Sequence, residues 1–179
     1  MAWQTLSTRT GYENPWIRVR EDTVRHPDGH EGIYGVVELQ PAVFVVALDD
    51  EDRVALIEIE RYTVGMSLEV PGGGGDGEDP LAAAQRELLE ETGLEASAWQ
   101  ALGDVFALNG AAEAREHVFL ARGLSRAADA AHTQAEEGIS AVRFVPFAEV
   151  VAMIGDGRIT DNESIAALML AGIRIGRFA

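Results

Sequence analysis

The sequence predicts an α+β fold in a single domain of ordinary size. Three observations carry that expectation. Up to about residue 70 the chain reads as strands separated by turns. A glycine run then opens one well-bounded helix, and two helices close the chain after further strands. A chain of 179 residues buries about 70% of its unfolded surface without disulfide or metal staples. Its composition, 47% hydrophobic and 25% charged, is that of a globular chain and not a disordered one.

The elements follow in order. Trp16–Arg20 alternates as a half-buried strand does, His26-Pro-Asp-Gly29 is a turn, and Ile33–Leu39 resumes extended structure. Residues 1–40 are read as antiparallel strands belonging to the same unit as the domain at 41–179. Val43–Leu48 is a continuous apolar run, typical of a central strand. The acidic turn Asp49–Asp52 leads into Val54–Glu60, which predicts a hairpin. Met66–Val70 is a short strand stopped by Pro71. Asp79 is a good N-cap, Pro80 suits the first helical position, and Gly93 ends the helix after Thr92. Trp99–Leu108, His117–Ala121 and Ala141–Val145 read as strands, with a sixteen-residue polar loop, Gly123–Gly138, before the last of them. Loops of that length in compact domains are functional or disordered. The closing helices are expected at Phe147–Ile154 and Asn162–Gly172, the second with a capping box from Thr160 to Glu163.

Composition excludes several chemistries. There is no cysteine, which removes thiol nucleophiles, iron–sulfur clusters and cysteine-type zinc sites. The net charge is −16, and all fourteen basic residues are arginine. Such a field repels nucleic acid and anionic membranes, and the absence of lysine removes P-loop and Schiff-base chemistry. The N-terminus lacks the basic and apolar regions of a signal peptide, and no apolar stretch reaches the length of a membrane span. A soluble, cytoplasmic protein is expected.

The helix after the glycine run carries the chemistry. At about 100° per residue, Leu81, Ala84, Leu88 and Leu89 gather on one side, with Gln85 interrupting that arc. Glu87, Glu90 and Glu91 fall together on a neighbouring arc. Like charges at these spacings repel, and Arg86, which reaches Glu90 at i,i+4, neutralises only part of them. A solvated acidic face is the bland reading. A hard divalent cation, Mg²⁺ or Mn²⁺, taking carboxylate oxygens is the functional one. The run Gly72-x-Gly74-x-x-Gly77 also satisfies a dinucleotide-binding fingerprint. However, Asp76, Glu78 and Asp79 crowd the helix end where a pyrophosphate would sit, and the preceding strands lack βα alternation.

The string Gly72-x5-Glu78-x7-Arg86-Glu87-Leu88-x-Glu90-Glu91-x-Gly93-Leu94 spans twenty-three residues and fits every specified position of the Nudix box. The chain therefore resembles the Nudix hydrolases. The resemblance implies an α/β/α sandwich around a mixed sheet, with the box as loop–helix–loop. It also implies metal-dependent hydrolysis of a nucleoside diphosphate linked to another group. Metal ligands implied are Glu87, Glu90 and Glu91 with a backbone carbonyl assigned to Gly72, which makes the loop after Pro71 one residue shorter than the family pattern; the alternative is that the box glycine is Gly73. Arg86 is implied to orient Glu90, and Glu78 to hold the loop–helix junction.

Further matches run through the chain: Asn14–Arg20, Glu60-Arg-Tyr62, Glu69-Val-Pro71, Asn109-Gly110, His117–Ala121 and Asp156–Asp161. Together they resemble the ADP-ribose pyrophosphatase branch, which implies AMP and ribose 5-phosphate as products and a homodimer exchanging N-terminal strands. GDP-mannose-type nucleotide sugars, and a non-catalytic ligand-binding domain, are the alternatives. The branch implies a substrate contact at Arg61, whose planar fork suits phosphate oxygens. It implies another near Glu113, where a serine of the family pattern is missing. It also implies a general base on a loop, here Glu136 or Glu137, with Glu137 favoured and Glu113 or Glu116 next in line.

Overall fold

The computed structural model describes residues 2–127 and 138–178. The chain divides into two units, Met1–Pro41 with Phe106–Arg115, and Ala42–Val105 with Glu116–Ala179.

In the first unit, β1 (Gln4–Glu13), β2 (Ile17–Arg25) and β3 (Glu31–Leu39) form an antiparallel meander. Asn14 sets the first turn by accepting hydrogen bonds from the amides of Trp16 and Ile17, at 2.9 and 2.8 Å. Gly29, at φ 98°, closes the second. Residues 106–115 join this unit although they follow a strand of the other one, a placement the local sequence does not announce. Tyr34 donates to the Gly110 carbonyl at 2.5 Å, and the amide of Val37 donates to that of Ala111. Trp3, Tyr12 and Trp16 are exposed and supply no core.

The second unit contains β4 (Ala42–Ala47), β5 (Arg53–Arg61), β6 (Gly65–Glu69), β7 (Gly72–Gly74), β8 (Leu94–Phe106), β10 (Arg115–Arg126) and β11 (Ile139–Pro146). It also holds the helices α1 (Pro80–Thr92), α2 (Phe147–Gly155) and α3 (Asn162–Arg174). The short β9 (Ala112–Glu113) pairs parallel with β3 in the first unit. The strands make two sheets, ordered β7-β4-β10-β8 and β11-β5-β6. β4 runs parallel to β10 and antiparallel to β7, so the first sheet is mixed.

Period-2 alternation along β4 and β10 produces the layers. Val46, Val118 and Leu120 face a core completed by Phe147 and Val150 of α2 and Ala167 and Leu168 of α3. Val43, Val45, Phe119 and Ala121 face the other way, onto Ala83, Ala84 and Leu88 of α1. This is the α/β/α sandwich implied by the box.

Several local expectations are corrected. The Val43–Leu48 and Val54–Glu60 strands do not form a hairpin ladder, and only a bridge between Leu48 and Val54 links them. Asp49 ties the turn by accepting from Arg53 N at 2.8 Å. Beyond it, buried strands find better partners, β4 in β10 and β5 in β6 and β11.

The strand expected at His117–Ala121 continues to Arg126, so residues 123–126 are not loop. Helix α3 is capped by Asp161 and not by Thr160, because the Asp161 carboxylate reaches Ser164 N at 2.8 Å. The buried side of α1 is Ala83, Ala84 and Leu88, extended by Glu91 and Thr92, while Gln85 is exposed. That rotation resolves the polar interruption: Gln85 never needed a buried partner.

Candidate active site

Helix α1 begins and ends as its sequence dictates. The Asp79 carboxylate accepts from Leu81 N and Ala82 N at 3.0 and 3.3 Å, and Gly93 takes a left-handed φ of 68°. The glycine run is not a phosphate loop. Gly72–Gly74 is strand β7, paired with Phe44, Val43 and Ala42 of β4, which removes the dinucleotide reading.

Strand β7 lies against the acidic face of α1. The amide of Gly72 donates to Glu91 Oε2 at 2.7 Å, and Glu91 is buried. A Cβ on Gly73 would stand 2.7 Å from Glu87 Oε1, so a side chain there would displace that carboxylate. Gly72 is glycine for another reason, since a Cβ would run into the Val43 carbonyl oxygen and the Phe44 ring. Glu87 and Glu91, one helical turn apart, therefore both meet the glycine backbone.

Arg86 organises the other side. One nitrogen, Nη1, donates to Glu87 Oε1 at 2.8 Å and Glu90 Oε2 at 2.9 Å, while Nη2 donates to the Gly74 carbonyl at 3.0 Å. Glu78 approaches Arg86 Nε at 3.4 Å. Among the described residues, no three acidic or histidine side chains converge closely enough to cage an ion. The donor set still fits a hard cation. Mg²⁺ keeps several waters and needs only one or two carboxylates beside substrate phosphates, and carboxylate oxygens here meet a backbone stripped of side chains.

Arg61, at the end of β5, binds Glu69 of β6 through Nε at 3.2 Å and Nη2 at 2.5 Å. Glu69 holds the guanidinium further above its ordinary value, against burial acting the other way, with Glu91 and Asp161 adding to the effect. Arg61 thus lies within electrostatic reach of the box helix. It lines a cavity of about 390 Å³ with Phe44, Glu69, Glu116, Asp161 and Glu163 among its walls. Burial, reinforced by the charges of Glu163 and Asp161, pushes the Glu116 carboxyl up to about 7. Burial also raises Glu163, and Asp161 adds to it.

Glu113 belongs to the chain's other unit, on β9, where Arg20 Nη2 donates to it at 2.6 Å. Glu136 and Glu137 lie outside the described residues. Glu69, Asp161 and Glu163 are cavity residues that no sequence motif singles out as site residues, and Glu116 is expected from the sequence only as a reserve base. A signal for Glu116 was present, because it shares the strand period with the inward-facing Val118 and Leu120.

This sandwich, with the glycine strand laid on an acidic helix, is that of the Nudix fold, and the chain belongs to that family. The NUDIX domain matches residues 38–168, and the nucleoside diphosphate sugar hydrolase N-terminal domain matches residues 3–37. The chain is therefore a Nudix pyrophosphohydrolase by class.

Its relatives narrow the picture. It is 35% identical to the ADP-ribose pyrophosphatase of Mycobacterium tuberculosis, over 93% of this chain and 82% of that protein. It is 29% identical to the methanol dehydrogenase activator of Bacillus methanolicus, over 92% and 90% of the two chains. A GDP-mannose pyrophosphatase of Yersinia enterocolitica is 33% identical over 61% of this chain and 57% of its own length. The crystal structure of an ADP compounds hydrolase shares the fold, with a TM-score of 0.84 at 19% identity, covering 98% of this chain and 95% of that one. Among the described residues, no helix is long and apolar enough to cross a membrane.

Proposed function

We propose that the chain hydrolyses the pyrophosphate bond of a nucleoside diphosphate joined to a second group, with ADP-ribose as the preferred substrate and AMP and ribose 5-phosphate as products. The observation that carries this reading is the likeness to an ADP-ribose pyrophosphatase along nearly the whole chain. The cavity lined by Arg61, whose guanidinium feels the charge of Glu91, is consistent with it.

Glu87, Glu90 and Glu91, with the Gly72 carbonyl, would hold Mg²⁺ or Mn²⁺. Such an ion supplies charge neutralisation at the diphosphate and acidifies an attacking water. Arg86 keeps Glu87 and Glu90 in place, an orienting role and not a substrate contact. Arg61 offers its remaining nitrogen, Nη1, to a phosphate oxygen, and Glu113 is a secondary substrate contact in competition with Arg20. Glu137, or Glu136, takes the proton from the attacking water. The protein works as a homodimer in the cytoplasm, joined through the exposed β1 and its aromatic neighbours.

Product analysis over ADP-ribose, GDP-mannose and 8-oxo-dGTP, first with Mg²⁺ and then with chelator, tests the reading. The highest kcat/KM should belong to ADP-ribose and vanish on chelation. A nucleoside triphosphate ranking first would overturn it. The likeness to GDP-mannose pyrophosphatases favours a second reading, in which GDP-mannose ranks first.

A further inference from the structure

The cavity carries a charge imbalance that the hydrolysis scheme does not use. Four carboxyl groups, Glu69, Glu116, Asp161 and Glu163, share its wall with one guanidinium, Arg61. Two of the four are committed: Glu69 to Arg61 at 2.5 Å, and Asp161 to the amide of Ser164 at 2.8 Å. Glu163, in the first turn of α3, shares a hydrogen bond with Asp161, and Glu116 comes from β10. Glu116 is 5% exposed, and no hydrogen bond or ion pair to its carboxyl is found among the described residues. Buried polar groups in native proteins are almost always partnered, and leaving one without a partner costs free energy. The Glu116 carboxyl lines the cavity and is open to a group that enters it.

The chemistry of that group follows from its neighbours. Arg61 spends Nε and Nη2 on Glu69, which leaves Nη1 for an anionic oxygen. A second anion beside Glu116 and Glu163 would be repelled. Hydroxyl groups are not, and acidic side chains pairing with sugar hydroxyls are an established mode of recognition. A neutral carboxyl both donates and accepts, and burial favours that form of Glu116 near neutral pH.

Resting on the function proposed above, we infer that Glu116 and Glu163 form the subsite for the hydroxyl-bearing group on the far phosphate of a nucleoside diphosphate sugar, with Arg61 gripping the phosphate beside it. These two residues then set preference among substrates without taking part in bond cleavage.

The test compares kcat/KM for ADP-ribose with that for the β-methyl ester of ADP, which has the same linkage and no hydroxyl beyond it. The preference for ADP-ribose should fall by about tenfold or more in Glu116→Val, as expected when a hydrogen-bonding site loses its polar group. Glu116→Gln, which still pairs with hydroxyls, should restore most of it. Glu163→Ala, on the helix, should lower the same ratio and serves if the strand variant fails to fold. Calorimetric binding of ribose 5-phosphate against inorganic phosphate needs no turnover, and its ratio should fall in parallel. Unchanged ratios in both Glu116→Val and Glu163→Ala overturn the subsite while leaving the hydrolase reading intact. A wild-type protein that binds ribose 5-phosphate no better than phosphate also overturns it. Hydrolysis of neither compound, with a binding ratio that still depends on Glu116, leaves the subsite standing and removes the hydrolase reading instead.

Discussion

Glu91 Oε2 accepts a hydrogen bond from Gly72 N at 2.7 Å, joining the two ends of the box across nineteen residues. The bond fixes strand β7 against helix α1 and explains why Glu91 is buried although it is ionisable. It also connects the packing of the helix to the geometry of the proposed ion site, since the same carboxylate serves both.

Glu91→Gln should separate those two duties. The amide oxygen of glutamine still accepts from Gly72 N, so the fold should survive, with a circular dichroism spectrum like that of the parent. Mg²⁺-dependent turnover should fall by roughly a hundredfold or more, because a neutral oxygen is a poor ligand for a hard cation. Normal turnover in both Glu91→Gln and Glu87→Gln would remove the helix from the ion site.

Two neighbouring glycines should respond differently to the same methyl group. In Gly72→Ala the new Cβ meets the Val43 carbonyl and the Phe44 ring, which cannot step aside cheaply. Thermal or denaturant unfolding should show a loss of about 1–3 kcal/mol, the usual cost of overpacking. In Gly73→Ala the Cβ meets the tip of Glu87 at 2.7 Å, a movable group. Stability should change less than in Gly72→Ala, while turnover falls as the Glu87 carboxylate is pushed from its place. Equal losses of stability in the two variants would contradict this division.

The proton acceptor is tested by Glu136→Gln and Glu137→Gln made separately. One of them, Glu137 by preference, should lose about a hundredfold or more in kcat, the range of a general base, with little change in Mg²⁺ affinity. Near-normal kcat in both would move the base elsewhere.

Glu116 predicts a pH dependence of stability. Its ordinary value is 4.5, and burial first, then the charges of Glu163 and Asp161, push it up to about 7 in the folded state. Between those values the folded protein holds a proton that the unfolded chain releases. Stability should therefore fall as pH rises from 4.5 to about 7 and level off above it. Glu116→Gln removes that term, so its Tm relative to the parent should be higher at pH 8 than at pH 5. A difference in Tm that is the same at both pH values would show that Glu116 does not titrate this way.

Short-range features were legible in the sequence because their causes are short-range. Asp79, Pro80 and Gly93 bound α1 through caps only a residue or two from the helix ends they set. Arg86 pairs with Glu90 because four residues make one helical turn. The apolar runs at Val43–Leu48 and Val54–Glu60 marked buried strands correctly. Their partners were another matter. An apolar run states that a strand is buried but not which neighbour it hydrogen-bonds, and the hairpin expected from the Asp49–Asp52 turn gave way to pairing with distant β10 and β11.

The site divides along the same line. Three glutamates at spacings of three and four placed the acidic face without any structure. Only the tertiary fold brought Gly72 to Glu91, Glu69 to Arg61, and Glu116 to the cavity shared with Asp161 and Glu163. These residues are far apart in sequence, and a carboxyl group reports its surroundings only after the elements around it have packed. Burial, which pushes the Glu116 carboxyl up to about 7, is a property of that packing, and no local pattern of residues contains it.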